Sequence, residues 1–354
     1  MSNLAALGRM SLTIGASCTG TMPKLAERLG ENQVAGLIDS TLRGVGMAGF
    51  ANNPLSGLLF VIASLTISPW VAFVLLVAAV ASTATAVALG LDAHDIRAGL
   101  YGYNGALVGG SLSVFLEPNW SGAVLCFAIV TASFSTIVMA ALIHVMARTW
   151  GVPPVALPFN IVLLMFLLAS QGMKNGHLGA IAGSAADSHS PDLSPGNAGN
   201  IAGIGDLFSA TVKGVGQVIF ADTFVASALV LTSILICRWQ NAILAVAGSA
   251  TATFVAIVVG LSESKIQMGL YGLNGFLVCV AIGGIFIPRR TPLSVALGIV
   301  GAGASAIAAA ALDNVAGVLG LPGSITLAYC MITALIVGVK FLSIRLEPQP
   351  QPKA

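Results

Sequence analysis

Residues 99–110 read GLYGYNGALVGG, and residues 269–280 read GLYGLNGFLVCV. Eight of the twelve positions agree across a separation of 170 residues. At the same offset TLRGVGMAGFANN (41–53) lies over TVKGVGQVIFADT (211–223). Thr41, Gly44, Val45, Gly46, Phe50 and Ala51 all recur, and Arg43 is answered by Lys213. Gly90 and Leu91 fall on Gly260 and Leu261, Pro118 on Pro288 and Ser135 on Ser305. GVPPVALPF (151–159) meets GLPGSITLAY (320–329) with one residue inserted. The chain is therefore written twice. The expected divisions are a lead-in at 1–40, a first half at 41–170, a polar linker at 171–210 with Gly, Ser and Asp turn chemistry, a second half at 211–345 and a short tail at 346–354.

Composition says where such a chain lives. Of 354 residues, 56% are hydrophobic and 8% charged, against about 25% charged in an ordinary soluble domain. Residues 44–91, 118–147, 239–262 and 314–339 contain no Asp, Glu, Lys or Arg. A bilayer crossing needs roughly 20 apolar residues, so the fold class is all-α and the chain a polytopic integral membrane protein. A β-barrel would show short alternating segments instead. The formal charge of +2 and the lack of a basic patch give nucleic acid no footing. The N-terminus has no basic stretch leading into a continuous apolar core, so it reads as an amphipathic lead-in rather than a cleaved signal. The five cysteines stand singly and suggest neither metal nor redox pairing; no cofactor is expected.

The apolar pattern predicts spans at 50–67, 70–91, 105–117, 121–147 and 154–171, then at 218–237, 240–261, 275–288, 292–312 and 324–342. An odd number per half makes the second half enter from the opposite side. Charge agrees. With the N-terminus inside, Arg9, Lys24, Arg28, Arg43, Arg148, Arg238, Arg289, Arg290, Lys340 and Arg345 lie on the cytoplasmic side, as the Lys/Arg bias of inner loops requires. Glu117 and Asp313 fall outside, with Lys213 and Lys265 as exceptions. Two inverted-topology repeats are expected, with a substrate path where they meet. Residues 92–104, charged and then glycine-rich, suggest a re-entrant pore half-helix turning at Asn104–Gly105. Close helix packing on Gly99, Gly102 and Gly105 is the competing explanation. No span carries a run of mid-depth charge, which favours a small, uncharged, donor-rich solute over an ion.

The doubled GLYGYNG/GLYGLNG phrase, FANNPLSGLLF (50–60), KGVGQVIFAD (213–222), GVPPVALPFN (151–160) and GLPGSITLAY (320–329) resemble the urea transporter family over roughly residues 41–345. The resemblance implies passive, channel-like transport of urea without a coupling ion, through one pore in each protomer of a homotrimer. The setting would be the plasma or inner membrane, with the lipid bilayer as partner. It also implies two aromatic-walled slots flanking a narrow centre. Carried across, the slot acceptor falls on Gln217, beside Val218, and on Met47 in the first half. The walls fall on Phe50, Phe220, Tyr103, Leu107, Leu273 and Leu277, with Asn104 and Asn274 in the same phrases. The constriction falls on Ala156 and Thr326. Met47 would grease one slot and admit methylated or longer amides; a channel for other small neutral solutes is the alternative. Each residue also has a plainer reading. Gln217 could brace a helix, Phe50 and Phe220 could be core or lipid-facing, and Thr326 could bond back to its own helix. His94 and His144 sit at span ends, and Asp187-Ser188-His189 is a chance hydrolase-like string. An intramembrane enzyme would need a nucleophile–base pair or metal ligands inside a span, and a sensor or scaffold would need a sizeable soluble domain; neither is seen.

Overall fold

A computed structural model describes residues 20–173, 177–178, 204–221, 223–287 and 291–339. The lead-in before residue 20, most of the linker with Asp187, Ser188 and His189, the Arg289–Arg290 pair and the C-terminal tail lie outside the described residues.

Helices begin where the sequence supplies a cap followed by proline. The Asn53 side chain accepts from the backbone N–H groups of Leu55 and Ser56, and Ser68 accepts from Trp70. Pro54 and Pro69 follow them at the first helical position, where the missing N–H would have had no partner anyway. Thr291 and Ser294 form a reciprocal capping box ahead of Pro292. After α1 (Pro23–Gly30), the first half runs through α2 (Gln33–Met47), α3 (Pro54–Ile67), α4 (Pro69–Ala88), α5 (Ala93–Arg97), α6 (Gly102–Phe115), α7 (Gly122–Leu142) and α8 (Leu157–Ser170). The second repeats it as α9 (Ile204–Gly216), α10 (Phe224–Cys237), α11 (Trp239–Val259), α12 (Glu263–Gln267), α13 (Leu270–Val280), α14 (Pro292–Val318) and α15 (Leu327–Gly338). A two-residue ladder pairs Leu116 with Leu178 and Glu117 with His177.

Among the described residues, four helices are long and apolar enough to cross a membrane: α4, α7 with its π-helical extension to Trp150, α11 and α14. Their outward faces carry exposed apolar side chains in rows, such as Phe73, Val80 and Val87 on α4 and Val300 and Ile307 on α14. Spacing by seven keeps such residues on one face, the face a lipid or a second copy would cover.

Contacts across the halves fix their relation. The equivalent helices α3 and α10 pack together, and the Ser56 hydroxyl, in the first turn of α3, donates to the carbonyl of Ser233, near the end of α10, at 2.7 Å. Gly20 joins the same ends, donating to the Ile236 carbonyl at 3.3 Å and accepting from Asn53 Nδ2 at 2.7 Å. Start meets end, so the equivalents run antiparallel. The last helices agree: Gln171, just past α8, donates to the carbonyl of Leu319 at 2.8 Å. The end of α15 at Gly338 faces Val152, in the matching loop of the first half. The repeats are inverted.

The broken helix is elsewhere than the charge pattern placed it. Residues 93–97 form only a five-residue surface helix with none of its residues buried, capped by the Asp92 side chain on the N–H groups of His94 and Asp95. Its charges reach solvent, so it does not enter the protein. The chain turns at Gly99, not at Asn104–Gly105, and Asn104 lies in the first turn of a continuous, almost wholly buried α6. Gly99 takes φ +75, and a Cβ there would sit 2.4 Å from the Gly44 amide nitrogen. Gly269 repeats this against Gly214, at φ +81 and 2.4 Å. Close packing thus explains these glycines. The sharp bend falls instead between residues 205–219 and 224–237, where the helix axes meet at 73°. At the same place in the first half, α2 breaks from α3 over residues 48–53.

Candidate functional site

Helices α2 and α9 both end in a left-handed residue, the usual place for glycine. Here it is phenylalanine: Phe50 at φ 61 and Phe220 at φ 62. Phe50 N–H bonds to Met47 and Ala51 N–H to Gly46, at 3.0 Å each; Phe220 and Ala221 repeat this onto Gln217 and Gly216. A left-handed L-residue costs about 1–2 kcal/mol, and strain of this kind persists where function holds it. The strain aims each ring into the opposite half. Phe50 meets Phe286 and Tyr329 edge to face, with centroids 6.4 and 6.3 Å away. Phe220 meets Phe115 in the same way at 5.6 Å and lies over Gly110.

A second strained pair sits between these stations. Val155 (φ 41) and Ile325 (φ 54) are β-branched, for which positive φ is a true outlier. They precede α8 and α15, apolar helices of 14 and 12 residues. At about 1.5 Å per residue, neither reaches the roughly 30 Å of a bilayer core. Helices that start inside the protein need their first N–H groups satisfied, and neither Ala156 nor Thr326 caps with its own side chain. The doubled asparagine does so from the neighbouring helix. Asn104 Oδ1 accepts from Phe159 N–H at 3.2 Å, and Asn274 Oδ1 accepts from Tyr329 N–H at 2.9 Å.

Each residue singled out in the sequence can now be placed. Tyr103 and Leu107 are buried on one face of α6, and Leu273 and Leu277 on the equivalent face of α13. Tyr103 donates its hydroxyl to the Val155 carbonyl. Residues 103 to 110 span roughly 10 Å of helix, so this face leads from Val155 to the Phe220 ring. Ala156 and Thr326 are buried at the junctions. Gln217 and Val218 are buried in a 3-10 turn ahead of Phe220, while Met47, three residues before Phe50, is only part-buried. Gln217 Nε2 donates to the Met268 carbonyl at 2.7 Å. Met47 has no polar atom to repeat that bond.

Asn160 was passed over in the sequence because its counterpart is Cys330, so duplication gave no signal. It is fully buried and joins the halves, its Nδ2 donating to Thr326 Oγ1 at 2.9 Å and to the Ala156 carbonyl at 2.8 Å. A lone asparagine inside an apolar helix was the available clue. Thr326 is engaged across the interface rather than back along its own helix.

The buried charged side chains among the described residues are Asp39 and Arg43. Their ion pair, 2.7 Å long, precedes the first expected span at 50–67 and is buried because Thr21, Met22 and Asn52 fold over it. Arg43 donates to the Thr21 carbonyl at 2.5 Å and to Asn52 Oδ1 at 3.1 Å. Lys265 and Asp313 pair at 2.9 Å, and Asp313 Oδ1 also accepts from Ser324 N–H at 2.7 Å, which anchors the loop leading to Thr326.

Antiparallel halves, interior helix starts and paired aromatic stations define a multi-pass helical membrane protein of the transporter class. The family profile described as urea transporter matches residues 38–341. The chain is similar to urea transporter 1 of Ovis aries, 31% identical over 332 residues covering 90% of this chain and 81% of that protein. It is equally similar to its counterpart from Capra hircus, with the same coverage. Urea transporter 1 of Rattus norvegicus is 30% identical over 79% of this chain and 71% of its own length. The chain belongs to the urea transporter family.

Proposed function

We propose that the chain conducts urea passively, as a channel, along the seam of its inverted halves. The observation that carries this is the reciprocal pair of strained phenylalanines, each aimed into the opposite half at one end of an uncharged centre. The lining runs from Phe220, with Gln217 and Val218, along Leu107 and Tyr103 to Ala156 and Thr326. It continues along Leu273 and Leu277 to Phe50 and Met47, with Asn104 and Asn274 holding the central helix starts. Flat aromatic walls suit a planar amide. Shedding water costs urea a few kcal/mol per unpaired polar group, and main-chain carbonyls with the Gln217 oxygen offset part of it. That oxygen accepts no hydrogen bond from the described residues, because the amide nitrogen alone is engaged. The buried Asp39 and Arg43 neutralise each other, and among the described residues no other charged side chain is buried to seat a coupling ion.

The repeats are taken as 41–170 and 211–345, and the protein as a homotrimer in the plasma or inner membrane with one path per protomer. The outward apolar rows supply the surface for lipid and for neighbouring copies. Light scattering from proteoliposomes in gradients of urea, acetamide and methylurea tests the reading. Urea should equilibrate fastest and well above protein-free vesicles. Equal rates for all three would favour a general channel for small neutral solutes, and a urea rate at the lipid background would refute transport.

A further inference from the structure

The centre of the two halves is unlike in chemistry. Thr326 stands in the second half, and the position 170 residues earlier is Ala156, with no hydroxyl. One turn after Ala156, Asn160 extends its carboxamide across the seam. Its nitrogen is fully occupied, with the Ala156 carbonyl at 2.8 Å and Thr326 Oγ1 at 2.9 Å; the Cys330 sulfur is 3.6 Å away. Its oxygen is buried and has no hydrogen-bond partner. A buried carbonyl left in this state costs about 1–3 kcal/mol, and such orphans call for an explanation. Thr326 Oγ1 accepts from Asn160 and donates to no acceptor among the described residues, so its hydroxyl hydrogen is available. The pair therefore presents one unoccupied acceptor and one unoccupied donor, side by side, at the junction of the halves. An amide carries the complementary set, an N–H and a C=O on adjacent atoms.

We propose that Asn160 is a specificity-determining residue of the constriction, its Oδ1 receiving an N–H of the passing amide while Thr326 donates to the amide oxygen. This rests on the urea-channel reading above. Asn160 replaces, from a different position, the polar group that Ala156 lacks, so the centre is served diagonally: carboxamide from the first half, hydroxyl from the second. Solutes with N–H groups at both ends gain most, because one end can hold Asn160 while the other still faces a main-chain carbonyl.

The test is the ratio of urea to acetamide permeability in proteoliposomes, which does not depend on how much protein folds. Asn160→Leu keeps the size and removes both polar atoms. Urea permeability should fall about tenfold, equivalent to about 1.4 kcal/mol, and acetamide about threefold, so the ratio drops about threefold. Adding Ala156→Thr to Asn160→Leu should restore part of the ratio. Should Asn160→Leu not assemble, Asn160→Cys, which copies the residue at the symmetric position 330, should lower the ratio in the same direction. An unchanged ratio in whichever variant assembles, with the wild type conducting urea, overturns the role of Asn160. A wild type that does not conduct urea overturns the channel reading instead.

Discussion

The junction of Tyr103, Asn104 and Val155 and its twin of Leu273, Asn274 and Ile325 share a backbone, but their hydrogen bonds are routed differently. In the first, the Tyr103 hydroxyl bonds the Val155 carbonyl, and Asn104 Nδ2 is left buried without a partner. In the second, Leu273 has no hydroxyl, and Asn274 Nδ2 bonds the Ile325 carbonyl at 3.0 Å. The carbonyl at the strained turn is satisfied either way, once by the residue before the asparagine and once by the asparagine itself. The fold conserves the need and lets the donor change. The same division recurs outward, with Gln217 bonded where Met47 is not, and with Ala156 and Asn160 set against Thr326 and Cys330. Backbone geometry belongs to both halves, and solute chemistry is shared between them unequally.

The largest effect should come where the halves are alike. Gly99→Val or Gly269→Val drives a branched side chain into backbone already 2.4 Å from a Cβ, at positive φ. Both should abolish the monodisperse peak in detergent gel filtration, and survival of either would show that the glycine contacts are dispensable. Next, the halves part company. Arg43→Met leaves Asp39 buried without its counter-ion, which costs about 3–5 kcal/mol and should lower Tm in detergent by many degrees. Lys213→Met, at a part-buried position, should change Tm much less; equal losses would erase this asymmetry. Gln217→Ala removes the free acceptor and the tie to Met268, and should lower urea permeability about tenfold, the worth of about 1.4 kcal/mol, with little change in oligomer stability. Met47→Gln should raise the preference for urea over methylurea. The smallest effect belongs to Tyr103→Phe, because Asn104 Nδ2 can take over the Val155 carbonyl. A loss of unfolding free energy under the about 0.5–1.5 kcal/mol net worth of an ordinary hydrogen bond is expected in denaturant titration, and a larger one would mean the two donors are not interchangeable.

Much of this was legible in the sequence because inverted duplication leaves a fixed offset. The 170-residue spacing that aligned the two GLYG phrases also aligns Phe50 with Phe220, Val155 with Ile325 and Asn104 with Asn274, and all three pairs are matched in conformation or bonding. The long spans followed from apolar length, as α4 (69–88) and α11 (239–259) show, whereas expected spans such as 105–117 and 154–171 hold helices of 14 residues. The break in the helix falls at Phe50 and Phe220 rather than within the expected re-entrant segment at 92–104, whose charged start is a surface helix. Charge marks a surface, whereas a left-handed phenylalanine has no signature in composition. Asn160 and the Asp39–Arg43 pair were missed for a different reason. Neither Asn160 nor Asp39 has a like partner 170 residues away, with Cys330 opposite Asn160 and Ser209 opposite Asp39, and burial depends on neighbours distant in sequence.

The central claim is that an uncharged seam between inverted halves carries urea downhill without ion coupling. It is tested most directly by urea flux into proteoliposomes with sodium and proton gradients imposed, reversed and then collapsed by ionophores. The account predicts one rate under all three conditions, proportional to the urea gradient and equal in both directions. Urea accumulation against its gradient, or flux that vanishes when an ion gradient is collapsed, would contradict it.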